Sequence, residues 1–491
     1  MAGLLVGLGV VAVVATGCAT NPVTGRPELV LVSAEREKEL GRDEAHRVER
    51  EMGLLDDPAL VAYVQAVGGR LAAQSPRRDV GYRFHVVDRA EPNAFALPGG
   101  YVYVTRGLLV FVNSEDELAG VIGHEIGHVA ARHSVQQISR AAPLAVVTGI
   151  SAAVTGVVSP GLGRAVGGAG AAASELILAP YNRDQEREAD RVGQALAAAA
   201  GWDPAGLPAF LRTLGREEDL AAGGPRGGSF LDSHPATPER VAATADHARE
   251  LTRAPAAPIS PTRAAFLRRL EGLPVGTRAA DGVFDGPRFL HPNLDFTVRF
   301  PDGWSTENNR EQVAAVAPDQ QAFMTLEVVA QGDDPLIGAK LVQQASRAPV
   351  LQTTERLTVG GLPAARTRLR GRTDAGEVTA LLAWIAHEGR IYQIAGVTPL
   401  ERSDAFGPVF ERIMQSFRPL SKEERASIRE DRLRLVAAEE GETLNALIAR
   451  SGTRWSADMV GVANGLAPGD RLVRGQLVKV VLSEPYTAPA R

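Results

Sequence analysis

The chain has 491 residues and one cysteine, Cys18, so no disulfide can form within it. Lysine is scarce: four of the 53 basic residues are Lys and the rest are Arg, a bias that reads as genome composition rather than function. No uninterrupted apolar run reaches the roughly 18 residues that a membrane-spanning helix needs. Leu4 to Ala15 is too short, and the Ala/Gly/Val-rich stretch from Ala141 to Pro180 is broken by Pro143 and Ser159-Pro160-Gly161. That stretch reads as a buried or lid-like helical hairpin, with membrane contact as the alternative. No tandem repeat is visible. A net charge of −5 gives no basic surface, so nucleic acid is excluded as a partner. What remains, 45% hydrophobic and 23% charged, is a globular composition with length for two to four domains.

The densest chemistry lies in five residues, His124-Glu125-Ile126-Gly127-His128. Ser114 stands three residues before Glu117, a capping-box pattern, and Leu118, Val121, Ile122, Ile126 and Val129 recur at helical spacing. The pattern predicts a helix over about Glu115 to Gln137. On it His124 and His128 project from one face and can both bind one tetrahedral zinc ion, while Glu125 can act as general base on a water. A largely apolar helix with two His and a Glu on one side must satisfy those groups, and a metal does so. On these residues alone, a surface helix with two satisfied histidines stays open.

The N-terminus adds a targeting signal. Leu4 to Ala15 ends in Ala15-Thr16-Gly17-Cys18, similar to a bacterial lipoprotein signal in which the Cys is lipidated. A basic leader before the apolar run is missing, and Ala15 stands where Leu is usual. The expected plan is a signal peptide at 1–18, a mainly α domain with a small β-sheet at 19–254, and a Pro/Arg-rich linker at 255–285. A small α+β domain at 286–420, a charged linker at 421–433, a βααβ module at 434–482 and a tail at 483–491 follow. Residues 19–27 read as a tether. Tyr82 to Val87 and Tyr101 to Thr105 read as strands, with the loop from Asn93 to Gly100 between them. A strand just upstream of the metal helix could pair with an extended peptide, which makes Asn93, Tyr101 and Tyr103 candidate substrate contacts. An ordinary core hairpin is the alternative.

A zinc catalyst needs a third protein ligand and an open position. Tyr181 to Asp190 is a charged helix start with Asn182 as a plausible N-cap, and Glu186 and Asp190 share one face. Here the motifs reach a resemblance. H-E-x-x-H followed by Glu186-Arg187-Glu188-Ala189-Asp190 is similar to the HtpX-like and CaaX-prenyl-protease-like zinc metallopeptidases, and nearest to the BepA-like periplasmic lipoproteins among them. Thr20 to Arg26, Asn93 to Gly100, His124 to His133, Glu186 to Gly193 and Ser233 to Arg240 carry the likeness in order, over about residues 18 to 250. It implies a zincin-type fold and one Zn²⁺ per chain on His124, His128 and Glu186, with Asp190 orienting a metal-binding His. It implies that His234 lies near the zinc, either as a resting fourth ligand or as a catalytic donor. The tetratricopeptide tail of those relatives is not visible here. Phe300-Pro301-Asp302-Gly303-Trp304 weakly resembles PsbP-like domains, and Gly441-Glu442-Thr443-Leu444, Asn464-Gly465-Leu466 and Gly475 to Val480 resemble a LysM module, which binds peptidoglycan.

The expected function is a zinc endopeptidase of the cell envelope, anchored to the outer membrane on the periplasmic side through Cys18. It would hydrolyse misfolded or stalled envelope proteins with Glu125 as general base. The alternatives are a chaperone-like assembly factor and a peptidoglycan-binding scaffold with a silent metal site.

Overall fold

A computed structural model describes residues 18–30, 32–139, 180–221, 229–310, 312–345, 353–373, 376–467 and 469–488. The signal peptide, apart from Cys18, and nearly all of the 141–180 stretch lie outside the described residues. Those that are described fall into two compact units. The first takes residues within 1–150, 173–276 and 431–483, and the second those within 277–430 and 484–491.

The first unit opens with an antiparallel hairpin, β1 (Cys18–Thr20) and β2 (Pro27–Leu29). The expected tether is therefore ordered, because the Asn21 side chain caps the turn by accepting the N–H groups of Val23 and Thr24. Two helices follow, α1 (Ala34–Glu51) and α2 (Pro58–Ala72). Then come β3 (Arg83–Val87), β4 (Ala94–Leu97) and β5 (Tyr101–Thr105), in the order β3-β5-β4. β5 runs parallel to β3 and antiparallel to β4. α3 (Arg106–Phe111) leads into α4 (Glu115–Ala130), whose N-cap is Ser114. Apart from Asp116, every residue of α4 is buried.

α5 (Arg183–Ala199) starts at the Asn182–Gln185 capping box and packs against α4. Their contact is nearly backbone to backbone. A Cβ on Gly127 would stand 2.8 Å from the Ala189 carbonyl oxygen, and one on Gly193 would stand 2.5 Å from the His124 nitrogen. Only glycine fits there, and the fit draws the faces of the two helices together. α6 (Gly206–Ala221), α7 (Phe230–Ser233), α8 (Pro238–Glu250) and α9 (Arg263–Leu270) complete the first part of the unit.

Three expectations change here. α4 ends at Ala130 instead of continuing to Gln137. Ala131 and Arg132 form a turn with Arg132 at φ +59°, and residues 133–139 are helical again. A side chain at positive φ is costly unless held. Glu37 holds it, with one oxygen 2.8 Å from an Arg132 nitrogen and the other 2.7 Å from Arg77. Next, 255–276 is no free linker. Phe266, Leu267 and Leu270 are fully buried on one face of α9, and the Ile259 N–H donates to Glu115 at the start of α4.

The C-terminal segment also joins this core rather than standing apart. It runs β16 (Arg429–Ala437), α13 (Leu444–Ser451), α14 (Ala457–Asn464) and β17 (Leu477–Pro485), with the two strands paired. Leu433, Ala463 and Val481 belong to the same hydrophobic cluster as α4. Lys479 is fully buried, and its Nζ donates to the carbonyls of Val110 and Val112 at 2.7 and 2.9 Å.

The second unit is α+β. β6 (Val283–Asp285), β7 (Arg288–His291) and β8 (Phe296–Arg299) form a three-stranded sheet. β9 (Ser305–Asn308), β10 (Gln312–Val316), β11 (Phe323–Gln331), β12 (Glu355–Val359), β13 (Leu362–Thr373), β14 (Gly376–His387) and β15 (Arg390–Pro399) form a seven-stranded one. α10 (Leu336–Ala345), α11 (Ser403–Gln415) and the short α12 (Lys422–Ser427) accompany them.

Candidate metal centre

α4 brings His124 and His128 together one turn apart, and α5 brings Glu186 to face them. The loop after α7 adds His234. Donor atoms of these four buried residues all lie within 4.8 Å of one another. His124 Nε2 is 3.0 Å from His128 Nε2 and 3.2 Å from His234 Nδ1. Glu186 Oε1 is 3.3 Å from His128 Nε2 and 2.8 Å from His234 Nδ1. Burial opposes charge on Glu186, but His234, His124 and His128 around it hold its carboxyl well below the usual range. Burial also pushes His128 far below the ordinary histidine value, so its imidazole is neutral and its lone pair is available. Three imidazoles and a carboxylate aimed at one point form an N/O donor set suited to zinc.

Each imidazole on α4 is backed on its other nitrogen. His124 Nδ1 is 2.8 Å from Asp190 Oδ1. Asp190 is gripped bidentately by Arg240, whose Nε and Nη2 each stand 2.8 Å from a carboxylate oxygen. The same guanidinium reaches Glu186 Oε2 at 2.7 Å and donates to the His234 carbonyl at 3.0 Å. His128 Nδ1 is 2.8 Å from His133 Nδ1. A carboxylate or polar group behind a ligating imidazole fixes its tautomer and its aim. Tyr181 stacks on His128 at 3.9 Å between ring centres, and Phe230 stacks on His234 at 4.5 Å.

Glu125 is different. It is fully buried, and neither of its oxygens has a hydrogen-bond partner among the described residues. His234 Nε2 stands 3.6 Å from Glu125 Oε1. Burial pushes its carboxyl above the usual carboxylate range. A buried acid without hydrogen bonds costs folding energy and calls for a reason outside stability.

The substrate-strand expectation is corrected. Tyr101 and Tyr103 lie on β5, which is the central strand, with β3 on one side and β4 on the other. No edge is left on β5 for a peptide to pair with. Tyr103 is fully buried between His85 and Phe95. The strand beside α4 with one neighbouring strand is β4, and Asn93 immediately precedes it. The sequence reading assigned no role to Arg240 or His133. Both stood inside quoted motifs, Ser233 to Arg240 and His124 to His133, and a buried acid such as Asp190 called for a cation.

Residues 58–248 match the family model described as peptidase family M48. This segment is a peptidase family M48 domain. The M48 domain is a metallopeptidase domain, and zinc is the metal of that family. The chain is 28% identical over 299 residues to the "Beta-barrel assembly-enhancing protease" of Escherichia coli K12, covering 60% of this chain and 58% of that protein. It is 29% identical to the protein of the same name in Yersinia pestis, covering 48% of this chain and 49% of that protein. It is 32% identical to the "Mitochondrial metalloendopeptidase OMA1" of Schizosaccharomyces pombe, covering 45% of this chain and 63% of that protein. The chain thus spans less than two thirds of the length of each. Among solved structures, the cyanobacterial PsbP of Synechocystis aligns at 15% identity with a TM-score of 0.24, over 30% of this chain and 98% of that one. No helix among the described residues is long and apolar enough to cross a membrane.

Proposed function

We propose that this chain is a zinc-dependent endopeptidase of the bacterial cell envelope, with His124, His128 and Glu186 holding the metal and Glu125 as general base. One observation carries the reading: Glu125 is a buried carboxylate with no hydrogen-bond partner among the described residues, beside a cluster of metal donors. A purely structural metal site needs no such base. A zinc ion held there would polarise the scissile carbonyl and acidify a water. Glu125 takes the proton of the attacking water and hands it to the leaving amine. Asp190, pinned by Arg240, keeps the His124 imidazole turned so that Nε2 faces the metal. The surrounding M48 core keeps bulk water out. The extended substrate lies against α4 on the side of β4. The test is zinc removal from the full chain: a strong chelator should abolish casein cleavage, and one equivalent of zinc per chain should restore it. Cleavage that survives metal removal would refute the reading.

His234 stands as a fourth donor, with Nδ1 toward the cluster and Nε2 toward Glu125. Four protein donors fill a tetrahedral ion, so this arrangement favours a resting form in which the His234 loop must withdraw before substrate enters. His234→Ala is therefore expected to raise the basal rate of casein cleavage several-fold while loosening zinc. A loss of cleavage instead, with zinc retained, would assign His234 to transition-state stabilisation.

Cys18 as a lipidation site supports anchoring to the outer membrane on the periplasmic side. Relatives named for β-barrel assembly support stalled β-barrel proteins as substrates. The strand–helix–helix–strand order of the C-terminal segment supports peptidoglycan as a further partner.

A further inference from the structure

We infer that the N-terminal hairpin is an outer part of the metal centre and that Asn21 is a positioning residue acting on His128 through Glu188 and His133. The inference rests on the metal reading above. For His128 Nε2 to offer its lone pair to a metal, its Nδ1 must carry the ring proton. Among the described residues that proton has one acceptor, His133 Nδ1, at 2.8 Å. His133 then carries its own proton on Nε2, which faces Glu188 Oε2 at 3.6 Å. The other oxygen of Glu188 accepts from Asn21 Nδ2 at 3.0 Å. The Asn21 amide cannot turn over, because its Oδ1 accepts the N–H groups of Val23 at 2.8 Å and Thr24 at 3.2 Å. The Asn21 amide is thus fixed from the hairpin side and the His133 tautomer from the His128 side, and the two meet across the 3.6 Å approach of His133 Nε2 to Glu188 Oε2, an ion-pair distance longer than a hydrogen bond.

The same amide nitrogen donates to Glu28 Oε1 at 2.9 Å. Glu28 in turn accepts from Gln136, and Gln136 accepts from Gln185 on α5 at 3.1 Å. Asn21 is 2% exposed, although the turn residues after it lie at the surface. The hairpin is thus fastened both to α5 and to the short helix at 133–139.

The break in α4 makes this connection. On a continuous helix His133 would lie five positions past His128, about 140° around the axis and out of reach. The turn at Ala131–Arg132 swings it back onto the His128 ring. The two α4 imidazoles therefore differ. His124 is backed by an ion pair internal to the peptidase core, whereas His128 is backed by a relay that ends at Asn21, in the turn of the hairpin whose first strand begins at Cys18. Detaching the hairpin loosens His128, which links the state of the N-terminal anchor to metal occupancy.

The test uses the full chain and two substitutions. Asn21→Ala removes the donor. Glu188→Gln removes the relay's charge and leaves the hairpin in place. Zinc affinity is measured by competition with a chelating indicator, and the Co²⁺-substituted protein is compared by its visible spectrum. Both variants should bind zinc about 10- to 100-fold more weakly, with a changed cobalt spectrum. The unfolding temperature of the metal-free chain should stay within a few degrees of wild type. Thr24→Ala, which removes a hairpin bond outside the relay, should keep wild-type affinity. Zinc affinity within twofold of wild type in either relay variant would overturn the inference and leave the metal reading standing. A wild-type chain that bound no zinc would sink both.

Discussion

Glu125→Gln is expected to bind zinc as the wild type does, to melt at the same or a higher temperature, and to lose casein cleavage by at least about 10²–10⁴-fold. The three outcomes share one cause. Gln has the shape of Glu but cannot take a proton from the attacking water. Because neither Glu125 oxygen has a hydrogen bond among the described residues, no bond is lost with the charge. Desolvation already pushes this carboxyl upward, which means that the fold carries the buried charge at a cost. A neutral amide relieves that cost. Metal content, the thermal midpoint and the rate on casein separate the effects. A variant that kept full zinc-dependent cleavage would remove Glu125 from the reaction.

Glu37→Ala is expected to cost about 3–5 kcal/mol of stability, the usual penalty for stranding a buried charge. Glu37 is 1% exposed and serves two guanidiniums. Arg77 stands 2.7 Å from one of its oxygens and Arg132 stands 2.8 Å from the other, with their side chains 5% and 13% exposed. Removing the carboxylate leaves both cations in low-dielectric surroundings. It also leaves the Arg132 guanidinium with only the Val32 carbonyl among the described residues, although its backbone sits at φ +59°. Urea unfolding of the full chain, followed by tryptophan fluorescence, measures the change. A loss under 1 kcal/mol would mean that water reaches these guanidiniums and that the pairs are of the weak surface kind. Because the turn at Arg132 also aims His133 at His128, zinc affinity should fall together with stability.

Local chemistry made much of the centre legible. Four-residue spacing on a helix sets two histidines side by side in any surroundings, so His124 and His128 could be paired before any fold was known. Ser114 and Asn182 announced the starts of α4 and α5, because a capping side chain acts within three residues. Glu186 is another matter. Its assignment rested on likeness to known metallopeptidases, since a charged helix start by itself has no preferred target. The long strands β13 and β14 escaped notice although Arg366, Arg368, Arg370 and Arg372 alternate with smaller residues. That alternation is the period of a strand, but its polar face hid the signal from a search for apolar residues.

From the amino acids alone came much that acts over one or two helical turns: the paired histidines, the neighbouring glutamate, the helix caps and the shared face of Glu186 and Asp190. Only the tertiary structure decided which strand is central, which cation holds Asp190, why α4 stops at Ala130, and that the C-terminal strand sends Lys479 into the peptidase core. Those outcomes depend on groups far apart in the chain, 50 residues for Arg240 and Asp190 and 369 for Lys479 and Val110. Spacing carries no information at such separations. What selects these partners is that a charge taken out of water must find an opposite charge or a carbonyl, and the packed core determines which one is within reach.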